Sequence, residues 1–242
     1  MPTGNDVVDR ALEAHGGEAR WKALSTLTTQ WTFRGMMFKM RMREAQLKNL
    51  TASISTREPR VVIHPYPKPG MQAVFTPQHL QVSDEKGVIS SREHPRSTFG
   101  GLRTVVWWDD LEMLYFAGYV LWNYPQLPFL LLQPGLTLED AGTSKQGQET
   151  WNKVKVTFPS EMPTHSPVQT FYFGPDGLLR RHDYCVAIMS PLARGARYIH
   201  SYQDVDGFKL PQRIEMKLGM WGESYAPFPS LGYVDLDNMK LS

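Results

Sequence analysis

The chain has 242 residues, of which 41% are hydrophobic and 12% aromatic, and its formal net charge is +2. This length suits one large domain or two small ones with a substantial core, and the small charge argues against a nucleic-acid partner. Cys185 is the single cysteine, which excludes a disulfide within the chain and a zinc or iron–sulfur site built from cysteines.

The first predicted elements are an N-terminal helix within residues 1–24 and a meander of strands over residues 25–92. Asn5 or Asp6 is a suitable helix N-cap, and apolar residues recur behind it at helical intervals. Beyond this helix the apolar period changes to two, which is typical of half-buried antiparallel strands. The strands are predicted at residues 27–33, 36–43, 50–55, 60–64, 72–76, 80–83 and 88–91.

A helical insertion is predicted over residues 102–133, where the chain is richest in aromatic residues. Apolar side chains cover most of the circumference of this helix, and such a helix is buried against a sheet or beside a hydrophobic ligand. A membrane span is disfavoured, because Glu112, Pro125 and Pro128 interrupt the apolar run. An alternative for its Leu-rich end, residues 127–132, is docking to a partner or a membrane surface.

Period-two alternation returns after Gly135 and predicts a second meander over residues 136–218. Two hairpins within it, at residues 174–177 and 206–207, have the Gly and Asp residues that tight turns favour. Residues 219–242 are predicted to be a C-terminal tail. The whole pattern predicts a mainly β protein with helices (α+β). One large curved antiparallel sheet forms a half-open barrel over the N-terminal helix and the central aromatic-rich helical insertion.

A family resemblance is carried by four segments, which are AHGGEARWKALSTLTTQWTFRG, WWDDLEMLYFAGYVLWNYPQLPFLL, THSPVQTFYFGPDGLLRRHDY and DVDGFKLPQRI. They are similar to the LolA/LolB-like superfamily of lipoprotein- and lipid-binding proteins, and to an uncharacterised bacterial group within it. The resemblance implies a single domain over residues 1–242, with about ten antiparallel strands and an apolar cavity for acyl chains or another hydrophobic ligand.

The N-terminal sequence bears on the cellular location of the protein. It has no basic region followed by an apolar run. A secretory signal has both features, so we expect a cytoplasmic location for the chain as given. For a trimmed mature form, a periplasmic or exported location is expected instead.

Polar residues that could carry chemistry are concentrated in the sequence RRHDY at residues 180–184. On a strand, Arg180, His182 and Tyr184 would face one side, and Arg181 and Asp183 the other. A base, a phenol and a cation inside an apolar cavity can abstract a proton and hold an enolate or a carboxylate. In the alternative interpretation, His182 and Tyr184 only pack on the sheet, while Arg181 and Asp183 form an ion pair at the surface.

Three further polar residues are candidates. His165 is a second acid–base candidate. Asp109 begins the helical insertion, where its carboxylate either stabilises the helix start or acts as a general base at the cavity mouth. His200, on the following predicted strand, could approach His182 and form a histidine patch, although no ligand spacing supports a metal site there.

Two functions are open for the predicted cavity. The first is binding of a hydrophobic small molecule or acyl chain, with walls expected at Trp31, Phe33, Trp107, Tyr115, Tyr119, Trp122, Tyr172 and His200. The second is a cofactor-independent enzyme, an isomerase, cyclase or hydrolase of a hydrophobic metabolite, with acid–base groups at His182, Tyr184, Asp109 and His165. Common nucleotide, phosphate and metal motifs are missing from the sequence, so we expect no cofactor and no metal, and a hydrophobic small molecule or lipid as the partner.

Overall fold

The computed structural model describes residues 3–36, 39, 44–100, 103–104, 107–190, 192–220, 224–226 and 229–242. Its helices are α1 (Asp6–Ala14), α2 (Glu18–Lys22) and α3 (Asp110–Asn123). The strands are β1 (Thr26–Arg34), β2 (Leu50–Ser55), β3 (Val61–His64), β4 (Gln72–Phe75), β5 (His79–Asp84), β6 (Gly87–Glu93), β7 (Thr137–Gln146), β8 (Glu149–Thr157), β9 (Val168–Phe173), β10 (Leu179–Cys185), β11 (Arg194–Val205), β12 (Phe208–Leu218) and β13 (Gly232–Leu241).

All the strands in this part of the chain belong to one antiparallel sheet, in the order β6-β5-β4-β3-β2-β1-β13-β12-β11-β10-β9-β8-β7. The sheet curves without closing into a barrel. The predicted α+β half-barrel is therefore confirmed. Because nearly every described strand pairs with its neighbours in sequence, the order is that of a meander. Strand β13 pairs with β12, its neighbour in sequence, and also with β1, at the other end of the chain.

The C-terminal segment differs from its prediction. Residues 219–242 were expected to be a tail, but β13 lies between β1 and β12 and joins the two halves of the sheet. Its apolar residues Val234 and Leu236 do not continue in period two to Met239 and Leu241, because Asn238 has a left-handed φ of 51° and the pairing with β1 shifts register there. The edge strand β7 was not predicted either, because hardly any of its residues are apolar. The strand predicted at residues 36–43 lies mostly outside the described residues.

Helix α3 fills the lumen of the half-barrel. Its residues from Leu111 to Asn123 are all buried. At Gly118 the helix approaches β4 so closely that an added Cβ would lie 2.2 Å from Cγ of Phe75. A side chain at this position would push the helix away from the sheet. The aromatic insertion therefore serves as the core of the protein, which is one of the two environments that its sequence predicts.

The Leu-rich end of the insertion packs on the N-terminal helices. The ring of Phe129 stacks on that of Trp21 in α2, with 4.3 Å between the ring centroids. Leu130 and Leu131 are 2% and 3% exposed. A docking role that uses these two leucines is therefore wrong, because neither is available at the surface. Among the described residues, no helix has both the length and the apolarity that crossing a membrane requires.

Candidate functional site

A pocket of about 240 Å³ opens where α3 ends, between β10, β11, β12 and the residues that follow β1 and β12. Its wall is mostly apolar. The buried polar side chains of the wall are Tyr124, His165 and Tyr184, and Arg194 adds an exposed cation. The lining residues are Met36, Phe116, Tyr124, His165, Tyr184, Val186, Met189, Ala193, Arg194, Gly195, Met216, Leu218 and Leu231. Such a pocket suits an apolar ligand whose orientation is fixed by a few polar contacts.

His165 lies at the centre of the polar end, between two tyrosines of the helical insertion. The hydroxyl of Tyr119 is 2.9 Å from Nδ1 of His165, and the hydroxyl of Tyr124 is 2.6 Å from Nε2. The His165 ring stacks on Tyr184 at a centroid distance of 4.1 Å. Burial lowers the pKa of His165 well below its usual value, and the charge of Arg197 adds to this effect. The imidazole is therefore neutral and has one donor and one acceptor nitrogen.

The hydroxyls around His165 form a chain with a direction. Tyr124 donates to the hydroxyl of Tyr184 at 3.4 Å, so its own oxygen accepts from Nε2 of His165. Nδ1 is then the acceptor for Tyr119. Burial raises the pKa of Tyr184, which keeps the phenol protonated at neutral pH. Within the described residues no acceptor takes the Tyr184 proton, and this hydroxyl belongs to the pocket wall.

Arg197 is a buried cation behind the pocket wall. It is 0% exposed, and its guanidinium carbon lies 3.7 Å from the centroid of the Tyr124 ring. In the part of the chain that the structure describes, Nε, Nη1 and Nη2 make no hydrogen bond. Burial lowers the pKa of Arg197 to about 10, against the opposing effect of Tyr124 and Tyr184. The group is therefore still charged at neutral pH.

His182 lies directly opposite Arg197 in the sheet. Its ring stacks on Phe171 at 4.2 Å, and Nε2 contacts Oε1 of Gln169. The amide of Gln169 donates to the carbonyl of Ser166 at 2.7 Å, which directs its oxygen to the histidine. Nε2 thus carries the proton, and Nδ1 has no partner among the described residues. Burial lowers the pKa of His182 well below its usual value.

The structure places the predicted residues of β10 on two sides of the sheet. His182 and Tyr184 face inwards together, in agreement with the period-two pattern, and their rings lie 5.1 Å apart. Arg180 does not join them, because a register shift between Leu179 and Arg181 turns it outwards to Asp176. The cation on the inner side is Arg197 instead. The sequence contains one indication of this: Arg197 lies two residues before the apolar Ile199 of β11, and residues two apart in a strand face the same side.

Three predicted ligand contacts lie away from the pocket. Tyr172 is buried on the other side of the sheet, where its hydroxyl donates to Asp183 at 2.8 Å. His200 is 49% exposed in its side chain and contacts Glu215, so it does not form a patch with His182. Trp107 precedes α3 and is 43% exposed. Of the remaining predicted walls, all are packed in the core around α3, and they are Trp31, Phe33, Tyr115, Tyr119 and Trp122.

Asp109 is placed at the N-cap of α3. Its carboxylate accepts hydrogen bonds from Arg92 at 2.7 Å and from the backbone N–H of Glu112 at 2.7 Å. A helix of this length spans about 20 Å, and Tyr124 and the pocket lie at its other end. The carboxylate therefore fixes the helix start and is not brought to His182. The described residues contain no group of three His, Cys, Asp or Glu side chains that could hold a metal ion.

Comparison with known proteins identifies the fold. No protein-family model matches the sequence, and no curated protein matches it. The structure is similar to that of a LolA superfamily protein from Nitrosomonas europaea, with a TM-score of 0.57, 9% sequence identity and coverage of 100% of this chain and 94% of that chain. A DUF1329 family protein from Desulfovibrio piger has a TM-score of 0.47 and 11% identity, over 97% of this chain and 91% of that chain. The first similarity confirms a LolA-like fold.

Proposed function

We propose that this protein binds a hydrophobic small molecule or an acyl chain in the pocket at the end of α3. The observation that carries the proposal is the pocket itself, whose apolar wall ends in the hydroxyls of Tyr124 and Tyr184. An apolar ligand gains free energy on leaving water for such a wall, and a few polar atoms give it one orientation. The LolA-like fold supports this assignment, since the sequence resemblance implies the same class of ligand.

The pocket is smaller than the lumen-wide cavity that the sequence predicts, because α3 occupies the lumen. Its volume of about 240 Å³ is below that of sites which enclose a drug-sized molecule. A longer ligand would extend through the mouth, where apolar side chains continue onto the surface. Met36 and Leu218 are 41% and 48% exposed there, and Leu192 and Met220 border lining residues at 86% and 51% exposed.

A pocket-filling substitution tests this proposal. Val186 lines the pocket and is partly buried, so Val186→Trp should occupy the space that a ligand needs. The matched control is Val168→Trp, at a residue 48% exposed that is not among the lining residues. With the neutral fluorescent probe N-phenyl-1-naphthylamine, we expect Val186→Trp to weaken binding about tenfold and the control to bind like the wild type. Equal binding by all three proteins would contradict the proposal.

Native mass spectrometry of the freshly purified protein gives an independent measurement. A bound acyl or polycyclic molecule, released by solvent and identified, is the expected result. Its loss in Val186→Trp, but not in the Val168→Trp control, would place it in this pocket.

A cofactor-independent enzyme is the second candidate function. It is favoured by the hydroxyl–imidazole chain through His165, which ends at the pocket and could transfer a proton. The test is conversion of the extracted ligand, followed by mass spectrometry, in the wild type and in Tyr184→Phe. Loss of conversion with retained binding would favour the enzyme, whereas an unchanged ligand in both proteins would contradict it. The cellular location, inside or outside the cytoplasm, stays a prediction that cell fractionation tests.

A further inference from the structure

The polar end of the pocket has a hydrogen-bond donor without an acceptor. The hydroxyl chain through His165 fixes the proton of Tyr124 on the bond to Tyr184, so the proton of Tyr184 is directed elsewhere. The phenol is 8% exposed and lines the pocket, and no described residue accepts from it. A buried donor of this kind is usually satisfied in a protein. Its natural partner here is an oxygen of the ligand.

A second and independent observation concerns charge. Arg197 is fully buried beneath the Tyr124 ring, and none of its nitrogens has a hydrogen-bond partner within the described part of the chain. The titratable groups that interact with its charge are neutral at pH 7 and do not compensate it; they are Tyr124, Tyr184, Tyr202, His165 and His182. In a region of low dielectric, a positive charge acts on neighbouring groups over several ångströms. The potential at the polar end of the pocket is therefore positive and favours an anion.

The two observations identify the chemical class of the anion. At the buried end, the Tyr184 hydroxyl and the charge of Arg197 match a carboxylate, which has a single negative charge and accepting oxygens. The other cation of the lining, Arg194, is exposed and donates to the carbonyl of Met220 at 3.1 Å. A phosphate monoester has a larger charge and three oxygens to satisfy, and the polar end offers too few donors for it. The apolar wall suits the chain that would follow the carboxylate.

We infer that the ligand is a carboxylic acid with an apolar chain, whose carboxylate accepts a hydrogen bond from Tyr184 and is balanced by the charge of Arg197. This inference rests on the proposed function, because it specifies the ligand of the same pocket. Arg197 acts on the carboxylate from behind Tyr124, and Tyr184 contacts it. The neutral imidazole of His165 sets the direction of the hydroxyl chain.

The experiment compares decanoic acid with its methyl ester by isothermal titration calorimetry at neutral pH. The two molecules share the apolar chain and differ in charge. We expect the wild type to bind the acid about tenfold more tightly than the ester. Tyr184→Phe and Arg197→Met should each reduce this preference to less than about threefold, because the affinity for the acid should fall more than the affinity for the ester.

The matched controls are Tyr233→Phe and Arg213→Met, at two residues outside the pocket whose side chains contact each other. Both should keep the preference of the wild type for the acid. Arg197→Lys, which keeps the charge, should keep most of it and covers the case in which Arg197→Met fails to fold. Circular dichroism and thermal melting report on the folding of every variant.

The outcomes separate the two proposals. Equal affinity of the wild type for acid and ester would overturn the inference and leave the hydrophobic pocket in place. A preference that persists in both Tyr184→Phe and Arg197→Met would also overturn it, because these residues would not be the cause. If neither acid nor ester binds, and N-phenyl-1-naphthylamine does not bind either, the proposed function itself fails.

Discussion

Two buried arginines on neighbouring strands of the sheet have opposite surroundings. Arg181 of β10 is 1% exposed and faces outwards, where its Nε and Nη2 donate to the carboxylate of Asp183 at 2.6 and 2.7 Å. Its guanidinium also lies 4.5 Å from the ring centroid of Tyr172 and 4.4 Å from that of Tyr225. Arg197 of β11 is 0% exposed and faces inwards, where its guanidinium lies beside the Tyr124 ring and pairs with no carboxylate of the described residues.

The pKa values of the two groups express the same contrast. Burial lowers the pKa of both guanidinium groups, but the hydrogen bonds and charge of Asp183 outweigh this effect for Arg181, whose pKa is raised. For Arg197 burial prevails, and the pKa falls to about 10. A buried charge is tolerated when it is paired and is costly when it is not. From this difference we expect Arg181 to stabilise the fold and Arg197 to destabilise the free protein, as its proposed role in ligand binding requires.

The largest effect is expected from removing the partner of the outer arginine. Asp183→Asn leaves the charge of Arg181 buried and unpaired, so the free energy of unfolding should fall by about 3–5 kcal/mol. Urea denaturation measures this change. The control is Asp204→Asn, at an exposed ion pair with Lys209, where the free energy of unfolding should stay close to that of the wild type. Similar losses of unfolding free energy in both variants would contradict the expectation that the buried ion pair contributes more to stability than the exposed one.

The inner side should also make the protein sensitive to acid. Burial, followed by the charge of Arg197, lowers the pKa of His165 and His182 in the folded state below the unfolded value of about 6.5. Burial likewise lowers the pKa of His15 to about 4. Below pH of about 6.5 the unfolded chain binds protons that the folded protein does not. Stability is therefore complete above this pH and decreases as the pH falls, by up to about 1.4 kcal/mol per pH unit for each histidine.

Arg197→Met tests the part of this acid sensitivity that comes from the inner arginine. Without the charge of Arg197, His165 and His182 accept protons more readily in the folded state. The free energy of unfolding should therefore decrease less steeply between pH 6.5 and 4.5, a range of about two units. His15, whose pKa is not affected by Arg197, provides the internal reference: His15→Gln should remove its own contribution in both backgrounds. Parallel stability curves for the wild type and Arg197→Met would contradict the expectation.

At neutral pH the same substitution tests whether the inner cation destabilises the free protein. Methionine keeps the length of the side chain and removes the unpaired charge, so Arg197→Met should raise the free energy of unfolding by about 1–3 kcal/mol. The matched variant, Arg181→Met, leaves the Asp183 carboxylate without its cation and should lower the free energy of unfolding. Chemical denaturation of the two variants gives the signs. A decrease for Arg197→Met would mean that its contact with Tyr124 contributes more than its burial costs.

Sequence reasoning predicted the architecture better than the site. Alternating apolar residues mark most strands and place His182 and Tyr184 on the inner side, because side-chain direction within a strand is a local property. The identity of the inner arginine is not local. It depends on the register shift in β10 that turns Arg180 outwards and on the pairing that sets Arg197 opposite His182.

The pocket and the middle of the sheet also depend on contacts between distant parts of the chain, which a local sequence pattern does not predict. The pocket is where Tyr124, at the end of α3, meets His165 and Tyr184 from distant parts of the chain. No spacing in the sequence records this contact, because it results from how the helix is seated in the sheet. Strand β13 is absent from the prediction for a related reason: its apolar alternation is interrupted at Asn238, and pairing with strands on both sides maintains the strand across this irregularity.

The smallest effect on stability is expected at the inner phenol, and it sharpens the comparison of the two sides. The Tyr184 hydroxyl makes one long hydrogen bond of 3.4 Å, so Tyr184→Phe should change the free energy of unfolding by less than about 0.5 kcal/mol. On the outer side, Tyr172 donates to the charged Asp183 at 2.8 Å, and Tyr172→Phe should lower the free energy of unfolding by about 1.5–3 kcal/mol. Urea denaturation of both variants decides the point. Equal losses would mean that the inner hydroxyl is as necessary to the fold as the outer one, whereas a loss confined to Tyr172→Phe leaves the Tyr184 proton free for a ligand.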